Sequence, residues 1–310
     1  MITLPFPREG PYPRSLVLWE PMDAIKGSVV ISHGMAEHIG RYARVADRLN
    51  AAGYAVFGYN HLGHGDEAPI KGYAADADGW SNMVSDLDAV IRFAGKRIPG
   101  APIILLGHSM GSFLAREYVL RHPKGADALV LSGTGWHPKL LCLFGKLAAG
   151  SMCALGDPKA ASRMLDRMAF SANNKSFHPA RTAFDWLSRD KAEVDKYVAD
   201  PSCGFVFTAG GFRDLFCGLY ALTYLGRLRV LPAEFPVLLM SGAADPVGSL
   251  GKGVHTVAGQ YFKAGLQNVK VKLYAGARHE LFNEINREEV YSDLTAWLNA
   301  SLPPVKGESA

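Results

Sequence analysis

Residues 102–111 constrain the fold of this chain more than any other stretch. An all-apolar run, PIILL, leads straight into Gly107-His108-Ser109-Met110-Gly111, and an amphipathic run, FLAREYVLR, leads straight out. An apolar strand that turns at once into a helix tolerates only small residues two before and two after the serine, because a Cβ there would collide with neighbouring backbone. The strained turn exposes Ser109 Oγ above a sheet, at the N-terminal end of a helix. The competing reading is a tight strand-to-helix turn with a capping serine. The strand and helix on the correct sides favour the nucleophile.

The same alternation extends to both sides. Residues 27–32 (GSVVIS) and 54–59 read as buried strands, with a helix over 41–52 between them that stops at Gly53. A helix over 80–96 carries Met83, Leu87, Val90 and Ile91 on one face, and residues 128–131 form the next strand. Continuously apolar strands separated by helices mean a parallel sheet covered on both faces. The rhythm stops near Thr134 and resumes with a strand at 236–240, a helix over about 254–264, a strand at 269–274 and a last helix over about 287–302. The hundred residues between read as helical, with segments near 160–168, 180–187 and 191–198, and are rich in Met and Phe. The expectation is an α/β core of residues 1–133 and 232–310 and a mainly helical cap inserted at 134–231. Residues 303–310 read as a frayed tail.

A serine hydroxyl needs a base, and the base needs a third group to orient it. Asp245 follows the strand at 236–240 in SGAADPVG, and His279 follows the strand at 269–274 in AGARHELFNE. Taken singly, Asp245 is a turn-forming residue before proline and His279 a satisfied core histidine or helix cap. Taken together, both stand on strand ends in the chain order serine, acid, histidine. The oxyanion of an acyl-transfer intermediate needs two donors. The backbone N–H of Met110 is one, and that of Met35, in the loop His33-Gly34-Met35, is the other.

Other function classes find little support. The net charge of +4 is spread along the chain with no basic run, which argues against nucleic acid. Cys142, Cys153, Cys203 and Cys217 match neither a zinc ribbon nor a redox motif, all four fall in the cap, and they read as small apolar fillers. His33, His38, His61 and His64 lie in two neighbouring loops, but no cysteine or paired carboxylates complete a ligand set there, so no metal is expected. The run at 140–156 is interrupted by Lys146 and three glycines, too short and broken for a membrane span. Its apolar face is a candidate for resting on a membrane surface. MITLPFPREGPYPRS shows no secretory pattern, so a reduced cytoplasmic setting is expected.

Five pieces carry a family resemblance: HGMAEHIGRY (33–42), HLGHGD (61–66), GHSMGS (107–112), GAADPVG (242–248) and ARHELFNE (277–284). The chain resembles the monoacylglycerol lipase and lysophospholipase-type members of the α/β-hydrolase superfamily. Relatives often read Asp-His-Arg-Gly-His-Gly-x-Ser where this chain has Asn60 to Asp66, a departure that leaves the catalytic pieces intact. The resemblance implies Ser109, Asp245 and His279 as a triad, Met35 and Met110 as oxyanion donors, and a helical cap over an acyl-binding tunnel. Gly34, His108, Met152, Phe170, Phe212 and Val247 are the candidates for substrate contact. The implied reaction is hydrolysis of a small lipid-like monoester through an acyl-enzyme, with no cofactor. The alternatives are a short-chain carboxylesterase and a non-catalytic binding protein on the same fold. Oligomeric state is left open.

Overall fold

The computed structural model describes residues 1–302; the expected tail at 303–310 lies outside them. Eight strands form one sheet: β1 (Ile2–Pro5), β2 (Ser15–Trp19), β3 (Gly27–Ser32), β4 (Tyr54–Tyr59), β5 (Ile103–His108), β6 (Ala128–Ser132), β7 (Val237–Gly242) and β8 (Val269–Tyr274). Their order is β1-β2-β4-β3-β5-β6-β7-β8. The pairs from β4 to β8 are parallel, whereas β1 and β2 join antiparallel at one edge. Every residue of β3, β4, β6 and β7 is buried, which is why these strands are mainly apolar and do not alternate. At the far edge β8 alternates, with Lys270 and Lys272 turned outward.

Helices cover both faces. Between the core strands run α1 (Ala43–Ala51), α2 (Gly79–Arg97) and α3 (Met110–Arg121). One face packs Val45, Leu49, Val290, Leu294 and Leu298; the other packs Leu87, Val90, Leu114, Tyr118, Val257 and Tyr261. The residues numbered in the 250s and 290s come from α8 (Lys252–Ala264) and α9 (Arg287–Ser301). The initial antiparallel pair, β1 with β2, was not foreseen, because the first nineteen residues carry four prolines and only short apolar stretches.

Between β6 and β7 the chain forms α4 (Lys139–Leu155), α5 (Arg163–Phe170), α6 (Lys191–Ala199) and α7 (Ala209–Ala221). Helices α4 and α7 pack together where Gly145 lies flat against Phe216; a Cβ at Gly145 would come within 2.7 Å of that ring. Helix α7 docks on α2 through Gly218, whose missing side chain makes room for Trp80. The buried residues of this segment, including Cys142, Leu165, Phe207 and Phe212, belong to the same apolar cluster as one face of the sheet. One expectation here is corrected. Residues 180–187 are not a helix: only a 3-10 turn at Asp185–Leu187 forms. The Asp185 carboxylate accepts from the N–H groups of Arg181 and Thr182, and Thr182 Oγ1 accepts from Phe184 N–H. These local bonds compete with helical ones. No described helix is long and apolar enough to cross a membrane.

Candidate active site

Ser109 stands between the end of β5 and the start of α3 with φ 51° and ψ −122°, a conformation that non-glycine residues rarely adopt. Its surroundings show why glycine flanks it. A Cβ on Gly107 would come within 2.5 Å of the Gly111 carbonyl oxygen, and one on Gly111 within 1.9 Å of the Ser32 carbonyl oxygen. Ser109 N–H is anchored on the Ser132 carbonyl at 2.9 Å, so the turn is stitched to the neighbouring strand.

Asp245 leaves the end of β7 and His279 the loop after β8, on the same sheet edge as Ser109. The His279 Nδ1 is 3.0 Å from Asp245 Oδ2, and both side chains are buried. Val247 N–H donates to Asp245 Oδ1 at 2.9 Å, holding the carboxylate in place. Among the described residues Ser109 Oγ makes no hydrogen bond; the two residues are neighbours in the wall of one cavity. Such contacts are commonly loose without substrate. The imidazole is packed between His108 and Trp186, with ring centroids at 4.8 and 5.0 Å. Burial by itself would lower the His279 pKa. The Asp245 carboxylate, through charge and hydrogen bond, and more distantly Glu280 and Glu37 reverse this and leave it above the ordinary histidine value. Burial, with His279 nearby, drives His108 down to about 4, so that ring is neutral.

The loop after β3 carries the N–H expected as the second donor. Gly34 N–H is spent on Glu37 Oε1, and Ala36 N–H on His64 Nε2 at 3.2 Å. Met35 N–H, between them, has no acceptor among the described residues. Met110 is the first residue of α3, where N–H groups lack partners within the helix. The loop is held from beneath by a buried network that sequence reasoning missed. Glu37 also accepts from Tyr42 OH and from Arg41, and Arg41 forms two bonds of 2.6 Å with Glu280, the residue after His279. Burial would raise the Glu37 pKa, but the Arg41 charge, with the Gly34 and Tyr42 bonds, holds it below the ordinary carboxylate range. The signal was present in HGMAEHIGRY as Glu37 and Arg41 one helical turn apart. Their partner Glu280 lies 239 residues beyond Arg41.

Two cavities meet at Ser109 and Met35. The larger, about 380 Å³, runs past His279 and Glu280 under Trp186; its wall is mainly apolar, with Phe170, Phe184 and Leu187, and also carries Glu37, Asp166, Arg167 and Asn174. The other, about 280 Å³, runs beneath α4 and α7 and is walled by Phe113, Leu141, Phe144, Leu215, Phe216 and Leu219. Of the expected contact residues, Gly34 and His108 line the larger cavity, Val247 the one under α4 and α7, and Phe170 both. Met152 and Phe212 line neither. Phe212 is fully buried between Phe207 and Phe216, and Met152 packs inward with its sulfur 3.7 Å from Ser162 Oγ. His33, His61 and His64 pack against one another in tilted and edge-on contacts beneath the loops, and burial pushes His33 and His64 down to about 3.

Comparisons with known proteins place the chain in a family. The family model described as Hydrolase_4, serine aminopeptidase S33, matches residues 23–286. A monoacylglycerol lipase of Mycolicibacterium smegmatis is 31% identical over 92% of this chain and 92% of its own. The human monoglyceride lipase is 29% identical over 91% of this chain and 85% of its own. Among solved structures, a thermostable carboxyl esterase from Bacillus coagulans, crystallised with glycerol, superposes with a TM-score of 0.87. It is 25% identical, covering 97% of this chain and 98% of that one.

Proposed function

The chain belongs to the Hydrolase_4 family (serine aminopeptidase, S33), and from that premise we propose that it cleaves lipid-like monoesters, monoacylglycerols first. It is a serine hydrolase with the α/β-hydrolase fold. The observation that carries the substrate reading is the apolar cavity under α4 and α7, which meets at Ser109 a second cavity whose wall also bears Glu37, Asp166, Arg167 and Asn174. An acyl chain suits the first and a hydroxylated leaving group the second. The names of the mycobacterial and human relatives support the same substrate class.

In this reading Ser109 Oγ attacks the ester carbonyl carbon while His279 Nε2 takes its proton. Asp245 holds the Nδ1–H tautomer and stabilises the imidazolium. The N–H groups of Met35 and Met110 receive the oxyanion. Collapse breaks the bond to the alcohol, which leaves with the proton from His279. Water, deprotonated by the same imidazole, then releases the fatty acid and regenerates Ser109. No metal or organic cofactor enters these steps.

Residues 134–231 serve as the cap. On α4, Leu140, Leu141, Phe144 and Leu147 are exposed, with Met164 and Met168 of α5 beyond them. Such a patch, with Lys139 and Lys146 alongside, supports peripheral contact with a lipid surface. The four free cysteines support a reducing, cytoplasmic setting. Phospholipid vesicles should sediment the protein, and Phe144→Glu with Leu147→Glu should abolish this; absence of vesicle binding by the unaltered protein removes the membrane reading.

An ester series from acetyl to palmitoyl, with monoglyceride and lysophospholipid included, tests the substrate. The expected optimum is a long-chain monoester. A preference for acetyl esters would instead favour a short-chain carboxylesterase, the reading to which the likeness with the Bacillus esterase lends weight. Failure of a fluorophosphonate probe to label Ser109 would leave only a binding protein.

A further inference from the structure

We propose that His38, Asp200 and Cys203 form a Zn²⁺ site that clamps the cap to the oxyanion loop. His38 belongs to the loop that carries Met35, whereas Asp200 and Cys203 close a turn just after α6. Their donor atoms, His38 Nε2, an Asp200 carboxylate oxygen and Cys203 Sγ, all lie within 4.8 Å of one another. His38 Nε2 is already 2.8 Å from Asp200 Oδ2. Tetrahedral zinc, with bonds of about 2.0–2.3 Å, sets its ligands roughly 3.3–3.8 Å apart. The histidine and carboxylate therefore need to part by about half an ångström and the thiol to approach by about one.

The surroundings suit an ion. Asp200 Oδ1 accepts from Ser202 N–H at 2.8 Å, which orients the carboxylate and leaves Oδ2 for the metal. His38 and Asp200 are partly exposed and line a groove of about 380 Å³, which gives an ion and a fourth, water ligand a way in. Arg41 lies close to Cys203, but its charge is already met by Glu37 and Glu280. One nitrogen, one oxygen and one sulfur donor favour Zn²⁺ over Mg²⁺ or Ca²⁺, which avoid thiolate. Burial pushes the Cys203 thiol up to about 12, so the ion must displace its proton. The S–H bond breaks, the Zn–S bond forms, and one H⁺ leaves to solvent without any redox change.

The position gives the site a consequence. The Ala36 carbonyl, beside Met35, accepts from Gly204 N–H and Tyr197 OH, each at 2.9 Å. These are the contacts between cap and loop that a metal would reinforce, because its ligands come from both sides of the same seam. The binding itself does not involve Ser109, so its test is separate from that of the esterase reading.

Co²⁺ added to the whole protein reports on the site directly. The expected result is one equivalent bound with a thiolate-to-cobalt charge-transfer band in the near ultraviolet. The band should vanish in Cys203→Ser and in His38→Asn, and survive in a Cys142→Ser, Cys153→Ser, Cys217→Ser variant. His38→Asn alters a partly exposed side chain and keeps the test decisive if Cys203→Ser fails to fold. Zn²⁺ at about a hundred times its Kd should raise the Tm by roughly 4 °C, a gain that His38→Asn loses. No charge-transfer band in the unaltered protein, or a band that persists in Cys203→Ser or in His38→Asn, overturns the site.

Discussion

The two sides of the reaction centre are built differently. On the sheet edge, Ser109, Asp245, His279 and the Met35 loop are held by buried polar bonds, many of them to backbone, within a frame where glycines 107 and 111 admit no Cβ. Across from them, the cap presents mainly Phe, Leu and Met side chains to the cavity under α4 and α7. A polar frame tolerates almost no displacement, because an unpaired buried donor or charge costs more than the bond it replaces contributed. An apolar wall can repack at modest cost. On the proposed function, chemistry therefore belongs to the first side and selectivity to the second. Substitutions should divide accordingly, by rate on one side and by substrate preference on the other.

The largest effect is expected at the nucleophile. Ser109→Ala should lower kcat by on the order of 10⁶ on every ester tested, without changing the ranking of chain lengths among residual rates. Retained turnover by a protein free of contaminating esterase would end the assignment. Asp245→Asn keeps the shape of the site but removes the charge that fixes the His279 tautomer, and a loss of about 10⁴ in kcat follows. Equal losses on acetyl and palmitoyl esters would mark both residues as belonging to the chemical side.

Glu37 should show a smaller and more particular effect. Glu37→Gln keeps an acceptor for Gly34 N–H but removes the charge facing Arg41, so the Met35 loop loses part of its anchorage. We expect kcat to fall by about tenfold, less than the 10²–10³ that follows outright loss of an oxyanion donor. The pH profile separates this from general destabilisation. His279 must be neutral to act as base, and its pKa is raised, so activity should climb with pH along a limb centred above about 6.5. Glu37 is one of the charges that raise it; Glu37→Gln should move that limb to lower pH, whereas a merely unstable variant would lose rate with the limb unmoved.

The same contrast explains what could be read from sequence. Ser109, Asp245 and His279 each follow a strand whose apolar run is short and unbroken, so their common edge follows from local pattern and chain order. The central strands were found for the same reason. The Glu37–Arg41–Glu280 network was not, because an ion pair across 239 residues leaves no mark on either local sequence. His38 drew attention beside His33, but the groups that approach it, Asp200 and Cys203, begin 162 residues later. In the cap, Met and Phe content pointed to an apolar wall without saying which side chains form it. Phe212 and Met152 read like lining residues, yet helix rotation turns them into packing, while Leu215, Phe216 and Leu219 on the same α7 reach the cavity. A segment such as 180–187 deceives in the opposite way, since its composition permits a helix that its threonine and aspartate side chains undo.

The mildest and most selective effect is expected from the cap wall. Ala169 is half-buried and lines the apolar cavity. Ala169→Phe adds bulk where an acyl chain would lie, without touching the polar frame around Ser109. The space of one methylene in such a pocket is worth ten-fold or more in kcat/KM, so the palmitoyl-to-acetyl ratio should fall by at least about tenfold. The acetyl rate itself should stay within about twofold, because a short acyl group ends before it reaches Ala169. Met152→Ala makes the control: it trims a side chain of similar character that lies outside both cavities, and the ratio should not move. If Met152→Ala shifts chain-length preference and Ala169→Phe does not, the acyl group lies elsewhere in the cap, and the larger cavity beneath Trp186 becomes the place to look for it.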